Sequence, residues 1–99
     1  MIEVRTTAVF DARFAGLRDR GARARIRWRI DRLSHGNPGQ HRVLAGGLLE
    51  LKIDHGPGYR VYYAALGNAQ VLLLCGGDKQ TQRKDIELAM ALKKLLEDS

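Results

Sequence analysis

Five side chains in the second half of the sequence have the types and spacing for phosphate chemistry: Glu50 and Lys52, Arg60 and Tyr62, and Lys79. Residues two apart on a strand share a face. Cations on one face can bind a phosphate and stabilise the charge that builds up in a pentavalent transition state. A tyrosine beside them can stack a base. Glu50 or Lys52 is the candidate for moving a proton. Ordinary cross-strand ion pairs would use the same residues, so the spacing alone supplies a shared side and no more.

Other chemistry is less well supported. His35, His41 and His55 lie in or beside loops at no metal-ligand spacing, and no metal site is expected. His55 is the one histidine placed near Arg60, by the loop Asp54-His55-Gly56-Pro57-Gly58. Gly76-Gly77-Asp78-Lys79 lacks the loop length and the Ser/Thr of a phosphate loop, and reads as a strand ending in a bulge or turn. Cys75 closes an apolar strand and reads as an inert core thiol. As the single cysteine, it also excludes an internal disulfide and a multi-cysteine zinc site. Arg18, Arg20, Arg23, Arg25, Arg27, Arg29 and Arg32 crowd one short region. A helix spreads them around its circumference, which makes a positive field rather than a pocket, suited to phosphates or an acidic protein segment.

The chain has 99 residues, a formal net charge of +6 and a pI near 10.0. That length suits one small domain, with shallow sites shared with the fold. The clustered charge points to an acidic partner. No apolar run approaches a membrane span, and the N-terminus has no basic-then-apolar leader pattern. A cytoplasmic protein is expected, with no membrane partner.

The elements that must position these residues follow from periodicity. Ile2 to Thr7 alternates and reads as a strand. Thr7 can cap a helix from about Ala8 to Leu17. Ala22 to Leu33 carries both a strand alternation and a helical stripe of Ala22, Ile26, Ile30 and Leu33. Its length, its Ala and Arg content and the stop at Gly36-Asn37-Pro38-Gly39 favour helix. Trp28 then lies off the stripe, at an interface. Leu49, Leu51 and Ile53 alternate with Glu50 and Lys52 in a half-buried strand. Tyr59 to Leu66 is the next strand, Gly67-Asn68 a turn, and Ala69 to Cys75 a central strand buried on both faces. A last helix runs from about Arg83 to Glu97. Leu49, Leu51, Ile53, Val61 and Tyr63 form the buried side of the sheet, which leaves Glu50, Lys52, Arg60 and Tyr62 on an exposed side. The expected fold class is α+β in the order β-α-α-β-β-β-α.

With these residues in view, the chain resembles the RelE/ParE superfamily of type II toxins, in the addiction module killer protein branch related to HigB. The resemblance spans nearly the whole chain. It rests on Leu17-Arg18-Asp19, Arg29 to Leu33 with Gly36-Asn37, and Glu50-Leu51-Lys52-Ile53. It continues in Gly56-Pro57-Gly58-Tyr59-Arg60-Val61-Tyr62-Tyr63 and, most specifically, in Leu73-Leu74-Cys75-Gly76-Gly77-Asp78-Lys79 with Thr81-Gln82 and Asp85-Ile86. It implies a RelE-like fold, with two N-terminal helices on a small curved antiparallel sheet. It also implies a metal-independent, cofactor-free, ribosome-dependent mRNA endonuclease. On that reading Lys52, Arg60, Lys79 and Glu50 are catalytic, and Tyr59, Tyr62, His55 and Arg83 bind substrate. Trp28, Arg25 and Arg29 meet a cognate antitoxin, a small helix-turn-helix protein from the adjacent gene. DNA is contacted only through the antitoxin complex. Two departures stand out: Glu50 replaces a strand lysine of RelE, and no aromatic residue follows Tyr63. ParE-like members of the superfamily inhibit DNA gyrase without nuclease activity. That alternative stays open, as does an inactive module that only binds its antitoxin.

Overall fold

The structure, a computed structural model, describes residues 1–98. The chain runs β1 (Glu3–Thr6), α1 (Ala8–Ala15), α2 (Arg20–Ser34), β2 (His41–Val43), β3 (Leu49–Ile53), β4 (Tyr59–Ala65), β5 (Gln70–Asp78) and α3 (Gln82–Glu97). The five strands form one sheet in the order β1-β5-β4-β3-β2. The architecture is α+β, as the periodicity indicated, and β3, β4 and β5 form the expected antiparallel meander.

Two features correct the expected topology. The sheet is mixed, because β1 pairs in parallel with the start of β5, Glu3 opposite Gln70 and Thr6 opposite Leu73. A further strand, β2, pairs antiparallel with β3 at the outer edge. All three β2 residues are exposed, so β2 carries no apolar alternation by which to recognise it.

The helix starts are chemically defined. The Thr7 side chain accepts a hydrogen bond from the Phe10 amide at 3.0 Å and donates to the Leu74 carbonyl at 2.6 Å. It thus caps α1 and ties it to β5. Asp19 caps α2 by accepting from the Ala22 amide at 3.1 Å, which starts that helix two residues before the apolar stripe.

The sheet is covered on both faces. On one side α1 and α2 bury Phe10, Ile26 and Leu33 against Leu51, Ile53, Val61, Tyr63, Val71 and Leu73. On the other, α3 packs Ala89, Ile86 and Leu92 over Leu48, Tyr62, Ala64, Leu74 and Cys75. The register of β4 against β5 slips at one point. Tyr62 faces Cys75 while Tyr63 faces Leu73, leaving Leu74 as a bulge. Leu74 and Cys75 consequently pack into the same α3-side cluster although they are consecutive.

This second layer overturns part of the expected exposed face. The strand parity is as expected: Lys52 pairs with Arg60 and Glu50 with Tyr62 on the side opposite Leu51 and Val61. Exposed it is not, since Tyr62 and Glu50 are each 0% accessible and Arg60 is 8% accessible. Helix α3 covers the inner part of that face, and only its outer end stays open. No helix among the described residues is long and apolar enough to cross a membrane.

Candidate functional site

The open end of the α3-side face is built by the β3–β4 connection and the end of β5. Lys52, Arg60 and Lys79 line one polar cavity of about 380 Å³, together with Gln40, Asp54 and Gly56 to Gly58. Three of the four residues expected to be catalytic therefore come together. Gly58 is needed for this geometry. Its φ of +85° suits glycine, and a Cβ there would lie 3.3 Å from Arg60 Nη1.

Arg60 is held from below. Its Nη1 donates to the Tyr59 carbonyl at 3.1 Å. Its Nε is buried without a hydrogen-bond partner, 4.0 Å from Glu50 Oε1. A buried donor with no partner costs roughly 1–3 kcal/mol, and a bound anion that draws the guanidinium into a new orientation would offset that cost.

Glu50 is the one catalytic candidate that does not reach the cavity. Its carboxylate accepts from Arg42 Nε at 2.9 Å and from Gln82 Nε2 at 3.0 Å. The Glu50 hydrogen bond holds the Arg42 guanidinium above its ordinary range. Both Glu50 oxygens are engaged and the residue has no exposed surface. Its negative charge instead faces Arg60 from inside the protein.

Lys52 is held by helix α2. Arg29 donates to the Lys52 carbonyl at 2.5 Å, to the Pro38 carbonyl at 2.9 Å and to the Gln40 carbonyl at 2.7 Å. Arg29 thereby fastens β3 and the Pro38–Gln40 loop, which carry three of the cavity-lining residues, Gln40, Lys52 and Ile53. Arg29, expected at the antitoxin surface, has its planar fork engaged by three internal carbonyls. Burial, then the charge of Arg32, lowers its pKa from the ordinary arginine value.

The expected substrate-binding residues disperse. Tyr62 lies under α3, where burial and then the Glu50 charge push its phenol well above the usual range. It has no free ring face for a base, and its hydroxyl is buried without a partner. His55 points to helix α2, with Nε2 3.2 Å from Asp19 Oδ2. The Ala22 amide bond, together with His55, keeps the Asp19 carboxyl below its ordinary range. His55 thus ties the β3–β4 loop to the α2 cap. Tyr59 faces the α1 layer and lines a second cavity. Arg83 is exposed in the first turn of α3. On α2, Arg25 is exposed, and Trp28 is 56% accessible with the Arg32 guanidinium 4.7 Å over its ring.

One cluster escaped the sequence reading. Asp85, 4% accessible on the buried side of α3, accepts from Arg13 Nη1 at 2.7 Å and from the Thr81 hydroxyl at 2.6 Å. Arg13 also donates to the Gly76 carbonyl at 2.9 Å. The available signal was an acid one residue before Ile86 and four before Ala89, on the stripe of a helix whose other inner residues are apolar.

Comparisons with known proteins add two findings. Residues 15–94 match the family described as Phage derived protein Gp49-like (DUF891). A protein of Haemophilus influenzae strain Rd, described as uncharacterized, is 46% identical over 91 residues, which is 92% of each chain.

Proposed function

This chain belongs to the phage-derived Gp49-like family, a toxin-like addiction-module family, and we propose that it is the toxin of a type II toxin-antitoxin pair that cuts mRNA on the ribosome. The observation that carries this reading is the convergence of Lys52, Arg60 and Lys79 on one cavity. A phosphodiester entering it meets three cations on a rigid sheet end.

The chemistry is a transfer within the RNA. The 2′-oxygen attacks the neighbouring phosphorus as its proton leaves. The bond from phosphorus to the 5′-oxygen breaks, and that oxygen takes up a proton. The products are a 2′,3′-cyclic phosphate and a free 5′-hydroxyl. Arg60 and Lys79 stabilise the charge on the phosphorane, and Lys52 moves protons. Glu50 orients Arg60 and touches no substrate. The antitoxin meets the Trp28 and Arg25 face of α2, where an exposed indole beside cations suits an acidic, apolar segment.

The test is the double variant Arg60→Ala/Lys79→Ala, induced in growing cells and read by primer extension on mRNA. The parent should give cuts that need translation. The variant should lose them by about 10²-fold or more while still co-purifying with its antitoxin. Retained cutting in the variant refutes the cavity as the site. Intact mRNA with a DNA-damage response from the parent refutes the nuclease and favours a gyrase inhibitor.

A further inference from the structure

The second cavity, about 280 Å³, lies between helix α1 and the ends of β4 and β5. Its walls are apolar: Phe10, Phe14, Leu17, Ile26 and Val61, with Tyr59 along one side. Polar groups sit at few points, on Arg13, Asp78, Thr81 and Asp85. Apolar walls with a few placed polar groups are the usual make-up of a small-molecule pocket.

Two relations tie this cavity to the cationic one. Arg60 lines both. Neighbours on the same two strand ends alternate between them: Gly58 and Lys79 line the cationic cavity, Tyr59 and Asp78 the apolar one. Tyr59 and Asp78 are register partners, so the two cavities flank a single pair of strand ends. The apolar cavity is also framed in positive charge. The Arg23 and Arg27 guanidinium groups lie 5.5 and 5.3 Å from the centroid of the Phe14 ring, and Phe14 forms part of the wall. Phe14 itself stacks on Phe10, with ring centroids 5.9 Å apart. Such a frame favours a polyanion over a neutral apolar segment.

We propose that the apolar cavity receives one nucleobase of the RNA whose phosphate occupies the cationic cavity, with Arg60 at the junction. The inference rests on the nuclease reading above and adds the element that would select sequence. The Tyr59 ring is a platform for an unstacked base, the common mode of single-strand recognition, and Phe14, stacked on Phe10 under Arg23 and Arg27, closes the apolar wall beside it. The Asp78 carboxylate, whose Oδ1 already accepts from the Gln80 and Thr81 amides, offers the polar group for a base edge.

The test uses the full chain and two kinds of probe, inorganic phosphate and the four nucleoside 3′-monophosphates, in equilibrium titrations. At least one nucleotide should bind tenfold or more tightly than phosphate. Leu17→Trp, which fills the cavity from a half-buried position, should remove that advantage and leave phosphate binding unchanged. Phe14→Leu keeps an apolar side chain of similar bulk without the ring, and should reduce the advantage severalfold if Leu17→Trp does not fold. In cells, mapped 5′-hydroxyl ends should show an altered base preference at the cut in either variant. Equal binding of nucleotides and phosphate overturns the inference. So does an unchanged cut preference in a folded variant, or loss of antitoxin binding as the sole defect. A parent chain that binds phosphate and cuts no mRNA overturns the nuclease reading instead, so the two failures are distinguishable.

Discussion

Replacing Gly77 with alanine tests how the end of β5 is built. Gly77 has no positive φ, so the backbone accepts alanine without strain. The obstacle is contact. A Cβ at position 77 would lie 1.8 Å from Asp85 Oδ2, 2.7 Å from Asp85 Cγ and 2.9 Å from Thr81 Oγ1. The Asp85 carboxylate must swing away, breaking its bonds from Arg13 and Thr81. A charge-assisted bond contributes about 1.5–3 kcal/mol and a neutral one about 1 kcal/mol. Arg13 is 43% exposed at its side chain and recovers hydration, which places the net loss near 3 kcal/mol. In a domain of this size that lowers Tm by roughly 12–24 °C. Asp85→Ala removes the same bonds and should cost about 2–3 kcal/mol. The double variant removes the clash with Asp85 and leaves only the freed Thr81 hydroxyl, 2.9 Å away, to rotate aside, so it should cost little more than Asp85→Ala alone, a coupling of about 3 kcal/mol between the two sites. Urea unfolding followed by far-UV circular dichroism measures all three, provided m stays constant. The reasoning fails if Gly77→Ala lies within about 0.5 kcal/mol of the parent, or if the double variant shows the plain sum.

Three further outcomes follow from the same contacts. Arg29→Ala should lower stability by about 2–3 kcal/mol through its three lost carbonyl bonds and lower mRNA cutting with it. Arg29→Lys should rescue neither fully, since one ammonium cannot span the Lys52, Pro38 and Gln40 carbonyls; full rescue in urea unfolding and primer extension would show that charge alone matters. Tyr62→Phe deletes a buried hydroxyl that has no partner, so stability should stay level or rise by up to about 1 kcal/mol. Cutting should be unchanged, and a loss of activity would restore Tyr62 to the substrate set. The third outcome concerns pH. Burial pushes the Cys75 thiol from 9.0 up to about 11. Above pH 9 the unfolded chain gives up this proton while the folded chain keeps it, so stability falls as pH rises, by about 2–3 kcal/mol between pH 9 and 11. Tyr62 and Tyr63, also raised by burial, add to the loss from pH 10 upward. Cys75→Ala should therefore flatten the decline between pH 9 and 10 in denaturant titrations, and an unchanged slope would exclude the thiol as its source.

How far the residues announced this arrangement depends on the range of the interaction involved. Period-two alternation is local, and it correctly put Leu51 and Val61 on one side of the sheet and Lys52 and Arg60 on the other. The Thr7 cap is local too, and it was legible. The partner of β1 was not, because alternation marks a strand without saying that its neighbour lies about 67 positions on, at β5. The fate of Glu50 and Tyr62 was equally hidden. Both obey the parity of their strands, but α3 decides whether that side meets water, and the Glu50 carboxylate is ion-paired by Arg42 and hydrogen-bonded by Gln82, which lie 8 and 32 positions away. The continuous apolar run Val71 to Cys75 concealed most, since it reads the same with or without a slip in register. The bulge at Leu74 reverses the parity of all that follows. Gly76 then faces Phe10 in the α1 layer, and Gly77 faces Asp85 under α3. Gly77 has no room for a Cβ because Asp85 and Thr81 close onto the strand there, and a Cβ at Gly76 would lie 3.2 Å from the Arg60 carbonyl oxygen of the neighbouring strand. The Gly76-Gly77-Asp78-Lys79 stretch, which read from the sequence as a strand ending in a bulge or turn rather than a phosphate loop, is thus first a packing device. Its chemical consequence comes one residue later. By seating the end of β5 against Arg13 and Asp85, it brings Lys79 beside Gly58 and into the cavity that holds Lys52 and Arg60.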